Sequence, residues 1–271
     1  MITIGNIEKL YTPVQPTVKQ YTDDVAYCEF SPDKSLQSVI SCYWQLKTLK
    51  PVINSFNYRV VADGCIDIFF ELDKPRENFV MGFCEKFTDF VLRGAFNYVG
   101  IRFFPTMFSQ LFNLSAKDLS NQSEQLSAVV PEMAGFIQDN FDGSVDHNDI
   151  KKLLDAHFTD LVNKTTFNND VRLYGAINII LEKKGVVDIE KDIDTGISTR
   201  QLRRLFEYYI GDTPKTFSKV VRFQNILKAK PSGESLKKDK LFFDAGYYDQ
   251  AHFIKEFKDL YGVTPSKAFG R

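Results

Sequence analysis

Arg200, Arg203 and Arg204 stand close together, and Leu202, Leu205 and Phe206 fill positions between and beyond them. The apolar residues are spaced i, i+3 and i+4, so they form one stripe of a helix and turn the arginines to another side. A guanidinium presents a planar fork of N–H donors that matches O6 and N7 of guanine. The chemistry on offer is therefore the reading of base edges. Gly196 suits a tight turn between helices, Ser198 is a strong N-cap, and Thr199 opens the helix beside the arginines. A helix with an apolar back and a basic front, entered through a glycine turn, is what a helix-turn-helix lays in the DNA major groove.

The pattern occurs twice. A shift of 51 residues carries Ser198 onto Asp249, Phe206 onto Phe257, Gly211 onto Gly262 and Thr213-Pro214 onto Thr264-Pro265. Asp249 is again an N-cap, preceded by Gly246, and Phe253 and Phe257 form the inward pair. Gln250, His252, Lys255 and Lys258 are left for the outer face, where Gln suits adenine N6/N7. Tyr247 and Tyr248 read as packing of the turn. Between the copies, Pro214 opens a helix running to about Lys230, with Phe217, Val220, Val221, Ile226 and Leu227 as its apolar positions. Such a strut is roughly 22 Å long at 1.5 Å per residue. Two heads on it can reach successive major grooves, about 34 Å apart.

With both turns, both Thr-Pro corners and the Arg222-Phe223 pair at fixed spacing, the chain resembles the AraC/XylS family of bacterial transcription regulators. The residues that carry this are DTGISTRQLRRLFEYYIGDTPKTFSKVVRFQNILKAK and DAGYYDQAHFIKEFKDLYGVTPSKAF, within about residues 186–269. The resemblance implies that one chain binds two adjacent grooves of double-stranded DNA, usually bending it. It places base-reading positions on Arg200, Arg203 and Arg204 in the first head and on Gln250, Ala251, His252 and Lys255 in the second. Ala251 offers only a contact with a thymine methyl. Where the family usually has a small alanine four residues before each turn glycine, this chain has Asp192 and Phe242. An aspartate at 192 would sit near phosphates and weaken the first head. A homodimer, contact with RNA polymerase and a small-molecule effector are further partners that the resemblance brings with it; no cofactor is implied.

The rest of the chain must position these heads. Residues 23 to about 104 hold short runs rich in Val, Ile, Phe and Tyr, such as Val39–Trp44, Cys65–Phe70, Phe79–Phe83 and Tyr98–Phe103, with Asp63-Gly64 and Asp73-Lys74-Pro75 as turn signals. An antiparallel sandwich or barrel follows. After Pro105 the period becomes helical, with further helices from Pro131 and over about Asp149 to Val162. The stripe Ile150, Leu153, Leu154, Phe158, Leu161 and Val162 suits packing on the sheet, with a dimer seam as the alternative. Asn163 to Asp170 is polar and turn-rich, which divides the chain into domains 1–165 and 166–271. The expected fold is α+β: a β-rich, cupin-like barrel or sandwich with accessory helices, then an all-α domain with two helix-turn-helix motifs. The Ala62–Phe70 and Gly100–Pro105 runs look like the N-terminal sensor or dimerisation domains of one AraC-like subgroup.

Charge agrees with this division. The whole chain has a net charge of −1, which by itself speaks against a nucleic-acid partner. Residues 1–170 carry 15 Lys/Arg against 22 Asp/Glu, a net −7, and residues 171–271 carry 19 against 13, a net +6. The basic excess lies on the doubled motif. Seventeen of the 25 phenylalanines fall in residues 1–170, enough for an aromatic-lined pocket or a Phe-rich core. Arg102, on an apolar strand, can pair with an acidic ligand or with a buried Asp or Glu.

Enzyme motifs are missing: there is no G-x-S-x-G, H-x-H or H-E-x-x-H, and His147, His157 and His252 are scattered. Cys28, Cys42, Cys65 and Cys84 form no C-x-x-C pair and read as reduced core thiols. The alternative function is a DNA-repair protein that joins an AraC-like domain to a zinc-bound, methyl-accepting cysteine domain. The opening MITIGNIEKLYTPVQP has no basic start followed by an apolar run, and no stretch reaches the roughly 18 apolar residues of a membrane span. The expected location is the cytoplasm.

Overall fold

The computed structural model describes residues 7–16, 24–230 and 246–269. Among these, after a short helix α1 (Ile7–Leu10), the β-rich part is built from β1 (Val25–Phe30), β2 (Ile40–Thr48), β3 (Val52–Val60), β4 (Ile66–Glu71), β5 (Lys74–Met81), β6 (Thr88–Gly94), β7 (Asn97–Phe103) and β8 (Ser123–Gln125). Six of them form an antiparallel sheet in the order β1-β2-β7-β4-β5-β8, and β3 pairs with β6 in a separate two-stranded sheet.

Period-two alternation explains the layering. Ile66, Ile68 and Phe70 of β4 and Val99, Ile101 and Phe103 of β7 are buried on one face of the large sheet. Their neighbours Asp67, Phe69, Tyr98, Gly100 and Arg102 point to the other face. The first face is covered by helices. α2 (Met107–Phe112), α3 (Leu126–Val129), α4 (Pro131–Asn140) and α5 (His147–Lys164) follow the strands, and Phe103 meets Phe108 at 5.9 Å and Phe158 at 5.5 Å between ring centroids. The second face looks toward the β3–β6 pair across Val25, Tyr27, Trp44, Leu46, Tyr58 and Phe96. The β-rich part is thus a sandwich of unequal sheets with helices on its outer side.

Several boundaries differ from the sequence expectation for local reasons. α5 starts at His147, before Asp149, because the Asp146 carboxylate caps it by accepting from the Asn148 and Asp149 amides. Of its stripe, Ile150, Leu154 and Phe158 are fully buried in the chain's own core, and Leu153, Leu161 and Val162 are half-buried against it. β5 resumes at Lys74, so the turn between β4 and β5 is tighter than the Asp73-Lys74-Pro75 signal suggests. Pro105 does not enter α2, because Thr106 beside it takes a left-handed φ of 78°. All four cysteines are free, but Cys28 is exposed rather than part of the core.

The remaining helices are α6 (Val171–Glu182), α7 (Ile189–Asp192), α8 (Thr199–Tyr209), α9 (Pro214–Ala229), α10 (Gln250–Tyr261) and α11 (Pro265–Phe269). Asp170 caps α6 by accepting from the Arg172 amide. Gly185 then turns the chain with φ +74°; a Cβ there would lie 2.2 Å from the Ser218 carbonyl oxygen, so only glycine lets the turn lie on α9. One hydrophobic cluster runs from Ile68 and Phe103 through Leu173 and Ile180 to Phe217, Phe223 and Phe257. The β-rich and helical parts therefore share a single core.

Candidate nucleic-acid interface

The first head is α7, the Gly196 turn and α8. Ser198 caps α8 with a reciprocal capping box: its hydroxyl accepts from the Gln201 amide, and the Gln201 side chain takes the Ser198 amide. Gly196 has φ +74°, the left-handed value its turn needs. Leu202 and Phe206 are buried and Leu205 is half-buried, so the opposite side of α8 faces water. Thr199, Arg200, Arg203 and Arg204 are all exposed there. Arg200 and Arg204 make no hydrogen bond or ion pair among the described residues. Arg203 donates from Nε to Glu207 Oε1 at 2.8 Å, and Lys117, in a 3-10 turn of the β-rich part, donates to Glu207 Oε2 at 2.9 Å. These two cations hold the Glu207 carboxyl below its ordinary value.

The second head is α10 with the turn before it. Asp249 caps α10, accepting from the His252 amide at 2.7 Å. Phe253 and Phe257 are buried, while Gln250, Ala251, His252, Lys255 and Lys258 are exposed. The His252 ring lies edge-on to Tyr247 at 5.5 Å, with its Nε2 3.8 Å from Glu256. Tyr247 is buried, as turn packing requires, but Tyr248 is 87% exposed beside the cap. An exposed aromatic at the mouth of a recognition helix is a further candidate contact that the sequence reading assigned to packing.

The strut between the heads is α9, capped by Thr213 and opened by Pro214. Its Arg222 guanidinium lies 4.2 Å over the Tyr247 ring and donates to Glu256 Oε1 at 2.8 Å. Phe223 packs on Phe257 at 5.4 Å. Arg222 and Phe223 thus bind the strut to the second head.

Residues 194–271 match a family described as a helix-turn-helix domain. The C-terminal part of this chain is an AraC-type helix-turn-helix domain. Residues 28–125 match a second family, described as a domain of unknown function (DUF6597). No curated protein compared with the chain matches it. Among solved structures, ToxT from Vibrio cholerae is 12% identical with a TM-score of 0.40, covering 91% of this chain and 97% of that one. A structure of Vibrio cholerae ToxT bound to (E)-4-(8-methylnaphthalen-1-yl)but-3-enoic acid is 11% identical with a TM-score of 0.39, covering 92% of this chain and 99% of that one.

Two positions of the AraC-type domain depart from the family pattern. Asp192 is not a bare charge facing phosphates: it pairs with Lys183 at 3.0 Å and accepts from the Asp188 amide. Phe242 lies outside the described residues.

The domain is also held against the β-rich part at both heads. The Ser109 hydroxyl donates to the Tyr208 carbonyl at 3.1 Å behind α8. At the far end of α10, the Ala62 amide donates to the Leu260 carbonyl at 3.3 Å and the Phe87 amide to the Asp259 carbonyl at 3.2 Å. A Cβ at Gly262 would lie 2.7 Å from the Arg59 guanidinium. Gln224 of α9 donates to the Ala62 carbonyl at 2.7 Å and accepts from the Val14 amide at 2.7 Å. None of these contacts has a signal in local sequence periodicity.

Arg102 is fully buried and bonded to Asp67 at 3.0 Å, Asp63 at 3.3 Å and Glu29 at 3.7 Å. Of the two readings of Arg102, the internal ion pair is the one the structure holds. Burial pushes the Cys42 thiol up to about 12 and the Cys84 thiol up to about 11, and raises Cys28 and Cys65 as well. Thiols held protonated are poor nucleophiles. Among the described residues, no group of three or more His, Cys, Asp or Glu is placed to hold a metal, and no helix is long and apolar enough to cross a membrane.

Proposed function

We propose that the chain is a sequence-specific transcription regulator that lays α8 and α10 in successive major grooves of double-stranded DNA. The observation that carries this is the repeated construction: each head hides an aromatic pair or stripe and exposes the polar and basic residues on its outer face. Arg200, Arg203 and Arg204 read bases in the first groove, with Thr199 at the helix start. Gln250, His252, Lys255 and Lys258 serve the second groove. Residues 1–165 form a sensor domain and 166–271 the DNA-binding domain, and a small-molecule effector acts on DNA binding through the docking contacts at Ala62, Phe87 and Lys117.

Selection of sites from random duplexes with the full chain, followed by footprinting, tests this. Two protected major grooves per chain, one helical turn apart, are expected. Protection of one groove, or no enrichment of any sequence, would refute it.

A further inference from the structure

Between the large sheet and the β3–β6 pair lies a cavity of about 270 Å³. That is nearly twice the ~150 Å³ of an engineered apolar cavity that takes up benzene. Its walls include the rings of Trp44, Tyr58, Phe69, Phe90 and Tyr98, and its one charged lining residue among those described is Asp67. The register builds this wall: Trp44 and Phe69 both lie opposite Gly100, and Asp67 lies opposite Arg102. A Cβ at Gly100 would lie 2.0 Å from the Trp44 indole, so glycine lets that ring lie flat on the strand. The rings prop one another, with Tyr58 and Phe90 stacked at 6.2 Å, Trp44 and Phe69 at 6.3 Å, and Phe69 and Phe79 stacked at 5.4 Å. Trp44 is also tied to the floor, donating from Nε1 to Asp67 Oδ2 at 2.9 Å.

Charge decides what such a cavity accepts. Among the described residues Arg102 is the single cation of the floor, and it is shared among Asp67, Asp63 and Glu29. Carboxylates exceed cations there among the described residues, so an incoming anion meets repulsion, and the Tyr58 hydroxyl, buried without a partner, offers it only a neutral donor. A cation instead relieves the excess, and aromatic faces attract it through their quadrupoles, Trp most strongly. The Asp67 carboxyl is pushed up to about 6 by burial and by Asp63, against the pull of Arg102.

We infer that this cavity binds a lipophilic organic cation: a quaternary or protonated amine on an aromatic or alkyl body, with its charge among the rings and against Asp67. The inference names the chemistry of the effector in the proposed regulator and rests on that reading only for its effect on DNA; the binding stands on the cavity alone.

Trp44 is the chain's one tryptophan, so its fluorescence reports occupancy of the cavity directly. The full chain is titrated with phenyltrimethylammonium, with its uncharged isostere tert-butylbenzene, and with phenylacetate. The cation is expected to bind at least about tenfold more tightly than the isostere, and phenylacetate not at all. Asp67→Asn should remove the preference, so that cation and isostere bind alike. Should that variant not fold, Phe90→Leu, which keeps the wall apolar, should weaken the cation more than the isostere. Equal or tighter binding of tert-butylbenzene, binding of phenylacetate, or no response of Trp44 to the cation would each overturn the inference. Footprinting of the same preparation separates the two readings: a chain that protects its DNA site but ignores the cation overturns the ligand and leaves the DNA reading intact.

Discussion

Removing the Arg203 guanidinium tests whether α8 reads bases or only holds the backbone. A bidentate arginine–guanine pair contributes about 1–3 kcal/mol of discrimination, or roughly 5- to 150-fold in affinity. In the free chain, however, Arg203 is paired with Glu207 at 2.8 Å, an exposed i,i+4 contact. Such pairs are worth about 0.3–0.5 kcal/mol, which Arg203 gives up on reaching a base. Arg203→Ala should therefore weaken the selected site by somewhat less than the full range, and Glu207→Gln should tighten it by about twofold. Lys117 shares the Glu207 carboxylate at 2.9 Å, so Lys117→Ala should not mimic Arg203→Ala. Fluorescence anisotropy at fixed ionic strength, on the selected duplex and on one with the contacted guanine replaced, measures each effect. The salt dependence gives the control: losing a phosphate contact lowers the slope of log K against log salt by about 0.9, and losing a base contact leaves it unchanged. Equal weakening on random DNA, together with a reduced slope, would refute base reading by Arg203.

Three further outcomes follow from the buried parts. Arg102→Met strands Asp63, Asp67 and Glu29 around an apolar side chain, and should cost about 3–5 kcal/mol in urea unfolding; a change under 1 kcal/mol would contradict the ion-pair account. Gly185→Ala combines φ +74° with a Cβ 2.2 Å from the Ser218 oxygen, and should cost about 2–5 kcal/mol; a wild-type melting curve would show that α9 yields freely. Asp67 has its carboxyl raised from 3.8 to about 6, so the native state binds the extra proton in that window. Its contribution favours folding on the acid side and is lost as pH rises through about 6. Asp67→Asn should flatten the stability curve between about pH 4 and 6, and an unchanged curve would show that Asp67 does not titrate there.

How much was readable from sequence depended on how local each determinant is. The N-caps Ser198 and Asp249, the turn glycines and the inward stripes of α8 and α10 act within one helical turn, so spacing alone displays them. The strands were readable because Ile66, Ile68 and Phe70 alternate with Asp67 and Phe69. Arg102 was left between two partners because Asp67 becomes its neighbour only through the β4–β7 register. Tyr248 was misassigned because Tyr247 beside it has the buried place. The shared core and the docking of Arg59, Ala62 and Phe87 on α10 are long-range contacts between surfaces that each look self-sufficient in one dimension.

The two heads are held by different segments of the β-rich part, so a ligand bound in its cavity is expected to act on them unequally. α8 is held by Ser109 and Lys117, which follow β7 on the helix-covered side. α10 is held by Arg59, Ala62 and Phe87, at the ends of the strands that carry Tyr58 and Phe90 into the cavity wall. A ligand shifts an equilibrium only by its differential affinity for the two states, so it must touch something that differs between them. A cavity occupant touches Tyr58 and Phe90 on β3 and β6, the strands that end at the second head, and also Trp44, Phe69 and Tyr98 of the large sheet, which reaches the first head only through the helix-covered side. Phenyltrimethylammonium should therefore change protection of the α10 half-site more than that of the α8 half-site. A footprint that changes at the first half-site alone would break the link between the cavity and the β3–β6 strands.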